Sequence, residues 1–172
     1  TRGDVRTTAM AEAQKQIGKL ENMYDLVVFC FPPGTGTWIA FAYTNHMYSF
    51  INDGWCQSVT TLMHETGHNI NLSHSGEDGG SAYDDQSGLM GYSYNEDDTR
   101  MCYNPAKNWQ LGWYADKALM VNPMSTSSNN GLTNSRQRQF KLNGVNDYRS
   151  GDNNALVVLK LQQTKPVGSA NE

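Results

Sequence analysis

The chain has 172 residues, 38% of them hydrophobic, enough for one globular domain with a sizeable core, so residues 1–172 read as a single domain. A net charge of -4 and a pI near 5.5, with Lys and Arg scattered rather than striped, argue against a nucleic-acid partner. No apolar run approaches the ~20 residues that span a bilayer, and Thr1-Arg2-Gly3-Asp4 lacks the apolar core of a signal peptide, so the chain reads as a processed form.

Residues 7–20 are rich in helix formers, with Met10, Ala13, Ile17 and Leu20 at helical spacing, and predict a surface helix. Residues 24–31 form a continuous β-branched and aromatic run stopped by Pro32-Pro33-Gly34, the pattern of a central strand covered on both faces. Two shorter apolar runs, 38–43 and 47–51, predict further strands. From Cys56 the period changes to 3.6. Val59, Leu62, Met63, Thr66 and Ile70 are expected to face inward, with His64 and His68 on the neighbouring face.

Residues 75–87, rich in Gly, Asp, Glu and Ser, read as an irregular surface loop. Its carboxylates are oxygen donors of the kind Ca2+ takes, but they lack EF-hand spacing, and a solvated acidic loop is the better reading. Residues 105–113 predict a further helix, with Trp109 and Leu111 inward, followed by a Ser/Asn-rich connector over 122–135. Late strands are expected at 139–142 and 155–161, on either side of a polar turn region at 146–154, so that about 136–162 forms a small C-terminal subregion. There is no internal repeat.

The segment that carries chemistry is His64-Glu65-Thr66-Gly67-His68-Asn69-Ile70-Asn71-Leu72-Ser73-His74. Residues four apart share a helix face, so His64 and His68 can aim ring nitrogens at one metal ion. A turn after His68 brings His74 back as a third ligand and leaves one tetrahedral position open for water, as a catalytic rather than a structural zinc site requires. Glu65, beside the metal, is the expected general base on that zinc-bound water. H-E-x-x-H alone is a weak match, but three of the four histidines fall within this eleven-residue window. His46, the fourth, reads as a strand or loop histidine outside the site. A gluzincin-type peptidase would need a glutamate well downstream as third ligand, and His74 is better placed.

H-E-x-x-H-x-x-[G]-x-x-H followed by a Met-containing turn is the signature of the metzincin zinc endopeptidases, and Ser87-Gly88-Leu89-Met90-Gly91-Tyr92 resembles that turn. Within the clan the chain most resembles the gametolysin (M11) family, through residues 64–74, 83–93 and 102–113. The resemblance runs over about residues 24–113 and fades in the last third. It implies an α/β (α+β) fold of zincin type, a twisted mixed sheet with a zinc-binding helix and a Met-turn. It also implies that Met90 forms an apolar floor under the imidazoles, and that Tyr92 turns its phenol toward the metal or the oxyanion. Asn71 stands where the clan usually has glycine; asparagine is the next most tolerant residue of positive φ, so the turn is expected to form with slight strain. Asn71-Leu72-Ser73 is also a glycosylation sequon, expected to stay unmodified because a glycan there would crowd the cleft.

With three cysteines, at most one internal disulfide can form. The metzincin arrangement brings the start of the zinc helix near the segment after the Met-turn, which implies a Cys56–Cys102 bridge and leaves Cys30 as a buried thiol. Three reduced cysteines in a cytosolic protein are the alternative. The expected function is thus that of a zinc-dependent endopeptidase acting on extracellular or cell-wall proteins. It would be secreted, carry one Zn2+, take protein or peptide substrates along an exposed edge strand at 38–43, and have an oligomeric state the sequence leaves open. The rival is a non-catalytic, zinc-stabilised extracellular matrix or binding domain, against which an intact Glu65 argues.

Overall fold

The computed structural model describes residues 2–91, 101–123, 139–149 and 154–162. Its contacts gather into two compact units, Thr1–Asn104 and Pro105–Glu172. The fold is mixed α+β, with two small sheets and three α-helices among the described residues.

In the first unit, helix α1 (Arg2–Ile17) begins five residues before the predicted start. Tertiary contacts account for the extra turn: the Arg2 guanidinium lies 4.6 Å from the Phe41 ring centroid and that of Arg6 lies 5.6 Å from Tyr43. Val5, Ala9, Met10 and Ala13 pack on a core of Leu20, Phe31, Tyr48 and Phe50. Gly18, at φ +93°, ends the helix with its N–H on the Gln14 carbonyl. Ile17 is 51% exposed, whereas Leu20, in a 3-10 turn beyond the helix, is 1% exposed.

Strands β1 (Val27–Phe31), β2 (Ala40–Ala42) and β3 (Tyr48–Asn52) form one sheet in the order β1-β3-β2, with β1 parallel and β2 antiparallel to β3. The apolar run ending at Phe31 was expected to be central. Among the described residues it lies instead at the edge, with Val28 and Cys30 exposed. The centre belongs to β3, every residue of which is buried because a strand occupies each side and a helix each face. Tyr48 and Phe50 meet α1 and the rings of Phe29, Phe41 and Tyr43, and burying a ring such as Phe50 contributes about 1.5–3 kcal/mol. Ser49 points the other way, toward the next helix.

That helix, α2 (Val59–Asn69), starts at Ser58, whose hydroxyl accepts the Thr61 N–H at 3.2 Å. Its buried face is Thr60, Thr61, His64, Glu65, Gly67, His68 and Asn69, while Val59 and Met63, expected inside, are 41% and 38% exposed. The reversal has a polar cause. Asn69 accepts the Ser49 hydroxyl at 2.6 Å and donates to the Tyr48 and Tyr43 carbonyls at 3.1 and 3.3 Å, so hydrogen bonds rather than aliphatic packing dock the helix on the sheet.

The cysteine pairing also differs from expectation. Cys30 is bridged to Cys56, with Cα atoms 5.9 Å apart, and Cys102 lies outside the bridge, exposed. The parallel register sets Cys30 opposite Ile51, and the 3-10 turn Asp53–Gln57 immediately after β3 folds Cys56 back beside it. Cys30 is consequently neither buried nor a thiol.

The second unit holds α3 (Pro105–Leu111), against β5 (Val158–Leu161), and β4 (Ala118–Val121), parallel to β5. Trp109 and Leu111 are half-buried; the fully buried residue of α3 is Asn108. Strand β4 had no forecast, and 139–142 contributes only a single bridge, Leu142 to Leu156, where a strand was expected. Most of the predicted connector at 122–135 lies outside the described residues.

Candidate metal centre

All components of the proposed site fall in the first unit. His64 and His68 project one turn apart from α2, and the chain beyond Ile70 reverses through Asn71 at φ +73°, the left-handed conformation expected where glycine was missing. This reversal returns His74 to the helix. Ring nitrogens of His64, His68 and His74 lie within 4.8 Å of one another, and His68 Nε2 approaches His74 Nε2 to 3.0 Å. Tetrahedral ligands about 2.0–2.1 Å from a zinc ion stand roughly 3.3 Å apart, so the three imidazoles have nearly the spacing such an ion needs.

Backbone carbonyls orient two of the rings. His64 Nδ1 donates to the Leu89 carbonyl at 2.6 Å and His68 Nδ1 to the Leu72 carbonyl at 2.8 Å. A carbonyl can only accept, so each Nδ1 carries the proton and each Nε2 is left with its lone pair, the tautomer a metal requires. Burial lowers the His64 pKa to about 4, with its bond to Leu89 opposing and the neighbouring His68 and His74 adding to the shift, so the ring is neutral at physiological pH.

Glu65 is 6% exposed, and its Oε2 is buried without a hydrogen-bond partner. Burial alone raises its pKa to about 8, so ionisation at neutral pH calls for a positive charge close by, which lowers a carboxyl pKa. A buried carboxylate oxygen left without a partner beside three converging imidazoles fits a site completed by a cation and a water. Glu65 and His64 line a cavity of about 180 Å³ with Ile39, Ala40, Thr61 and Tyr83.

Residues 88–91 brace the site from below. They form a tight turn, Gly91 N–H to Gly88 carbonyl at 3.0 Å, backed by the Leu89 N–H on the Cys102 carbonyl at 3.1 Å. The Met90 carbonyl accepts the N–H of Ser75, next to His74, at 2.7 Å. Met90 itself is fully buried against Gly67 of α2, where a Cβ would collide with its Sδ and crowd Tyr103. Tyr103 donates to the Met63 carbonyl at 2.7 Å and so holds the helix from the same side. In the acidic loop, Asp84 Oδ2 accepts the Ser81 N–H at 2.6 Å and Asp85 Oδ1 the Ser87 N–H at 2.7 Å; among the described residues the three histidines are the group placed to share an ion.

His64, Glu65, His68, His74 and Met90 therefore come together, and Tyr92 lies outside the described residues. His46 packs its ring near Tyr43 and Tyr48, outside the triad. Sequence reasoning missed Tyr83, whose ring centroid lies 3.9 Å from that of His74; a lone aromatic in a Gly/Asp/Ser loop was the available signal. It missed Tyr103 too, which carries no local signal.

No curated protein and no solved structure matched the chain. The model of the gametolysin peptidase M11 family matches residues 4–171, nearly its whole length, and the chain belongs to that family of peptidases.

Proposed function

We propose that the protein is a zinc-dependent endopeptidase of metzincin type, cleaving internal peptide bonds of extracellular or cell-wall proteins. The observation that carries this reading is the convergence of three imidazoles beside a buried, unpartnered Glu65 oxygen. His64, His68 and His74 would hold one zinc with a fourth position open. Bound there, zinc supplies a Lewis acid that lowers the pKa of a water toward ~7 and polarises a carbonyl.

Glu65 takes the proton of the attacking water and passes it to the leaving amine, so one carboxylate serves both transfers. The carbonyls of Leu89 and Leu72 keep the two helix imidazoles oriented throughout. In this reading Met90 is the methionine of a Met-turn, an apolar floor rather than a ligand, and Tyr92 is a further donor to the oxyanion.

Substrate binding is proposed along β2, at the sheet edge among the described residues. The Ile39 carbonyl and Tyr43 N–H bond to β3, so by strand alternation Ala40 and Ala42 turn their backbone groups outward, where an extended peptide can pair with them. Ala40 also lines the cavity beside Glu65. The Cys30–Cys56 disulfide supports secretion into an oxidising compartment, and no described helix is long and apolar enough to cross a membrane.

Glu65→Gln tests the reading. Cleavage of a peptide library, with and without a chelator, should show turnover that Glu65→Gln lowers by about 10² to 10⁴ while elemental analysis still finds one metal per chain. Full activity in Glu65→Gln, or no cleavage by a metal-loaded protein freed of any inhibitory segment, would leave the matrix or binding-domain reading in its place.

A further inference from the structure

We propose that Tyr83 is a positioning residue that clamps the His74 imidazole and thereby sets how firmly the metal is held. The inference rests on the triad being a metal site. His64 and His68 stand on a helix and have carbonyls fixing their rings. His74 stands on a segment with neither helix nor strand and is half-buried, so contacts from elsewhere must limit its rotation.

Tyr83 provides such a contact. Its ring centroid lies 3.9 Å from that of His74 with the planes 36° apart, a tilted face contact closer than the usual aromatic pair, and 6.2 Å from that of His64 at 17°, a separation ordinary for stacked rings. Across residues 76–84 every residue is exposed except Tyr83. The loop is tied at its base: the Asp85 N–H meets the Ser75 carbonyl at 3.1 Å, and the Ser75 N–H meets the Met90 carbonyl at 2.7 Å. Asn104 Nδ2 adds a bond to the Asp85 carboxylate. Near its tip, Ser81 accepts the N–H groups of Tyr83, through Oγ, and Asp84, through its carbonyl. A loop closed in this way returns its one inward aromatic to the same imidazole, so the ordering cost of the third ligand is met before a metal arrives.

Tyr83 also lines the cavity with Ile39, Ala40, Thr61 and Glu65. Loss of its ring should therefore reach KM as well as metal retention.

The test is the rate of metal transfer to a chromogenic chelator from zinc-loaded unaltered protein, Tyr83→Phe, Tyr83→Leu and Tyr83→Ala, with thermal midpoints of the metal-free forms as a folding control. Tyr83→Phe should release metal within about twofold of the unaltered protein. Tyr83→Leu and Tyr83→Ala should release it roughly 10- to 100-fold faster, the range seen when an outer partner of a ligand is removed. The visible spectrum of their cobalt-loaded forms should shift as well. If Tyr83→Ala does not fold, Tyr83→Leu, which keeps bulk without a ring face, decides. Unchanged release in the folded non-aromatic variants, or a loss in Tyr83→Phe as large as theirs, overturns the clamp alone. No stoichiometric metal in the unaltered protein overturns the triad reading and the clamp with it.

Discussion

The candidate centre is assembled from two unlike halves. His64, Glu65 and His68 make up much of the buried face of a regular helix, docked on the sheet through Asn69. His74, Tyr83 and Met90 lie on a stretch without helix or strand, held by individual bonds such as Ser75 to Met90 and Asp85 to Ser75. On the helix half, geometry comes from the backbone period, and its ligands are also structural residues. On the loop half, each position depends on a separate tertiary contact, so ligation and folding can be altered independently.

Removing ligands from the two halves gives the largest expected effect and tests that difference directly. His68→Ala and His74→Ala should each weaken metal binding by more than about 100-fold, beyond what loss of an outer partner costs, while His46→Ala should leave it unchanged; competition with a chelator measures all three. His68→Ala should also lower the stability of the metal-free protein more than His74→Ala does, because His68 is 9% exposed and bonded to Leu72 whereas His74 is half-buried. Equal destabilisation by His74→Ala would break the comparison.

The base of the helix half can be loosened next. Cys30 and Cys56 are 26 residues apart, and opening a loop of that length should cost about 3 kcal/mol in denaturant unfolding of Cys56→Ser, against little for Cys102→Ser. Labelling the denatured, unreduced protein should modify Cys102 and neither of the others; label at Cys30 would contradict the bridge.

Where the halves touch, Gly67→Ala should cost roughly 1–3 kcal/mol, since the added methyl meets Met90 Sδ and the Tyr103 ring. Gly67→Ala combined with Met90→Ala should recover part of that loss, and strict additivity in a double-mutant cycle would deny the contact.

The smallest effect belongs to the reversal joining the halves. Asn71 at φ +73° predicts that Asn71→Ala costs about 1 kcal/mol and that Asn71→Gly is neutral or slightly stabilising, as judged by thermal midpoints.

The helix half was legible in the sequence because a period of 3.6 puts His64 and His68 on one face whatever surrounds them, and the spacing to His74 was legible because three histidines crowd one window. The orientation of that helix was not. Val59 and Met63 were expected inside on hydropathy, yet Asn69, Thr60 and Thr61 are buried in their place; the sheet offered Asn69 carbonyls and a hydroxyl that no reading of the helix alone could foresee. The same holds for β1, whose unbroken apolar run promised a central strand. Position within a sheet is a property of strand order, and order is set by which segments pair.

Local chemistry, then, was determined by the sequence: the candidate ligand types, their helical spacing, the carboxyl group beside them, and the tolerance of Asn71 for a left-handed turn. The tertiary structure decided everything that depends on residues far apart in the chain. Cys30 meets Cys56 because a parallel register lays Cys30 beside Ile51. Tyr83 meets His74 because the loop closes at Ser75 and Asp85, and Met90 meets Gly67 because only a glycine leaves room. Such contacts follow from the close packing of whole elements, which no local periodicity encodes.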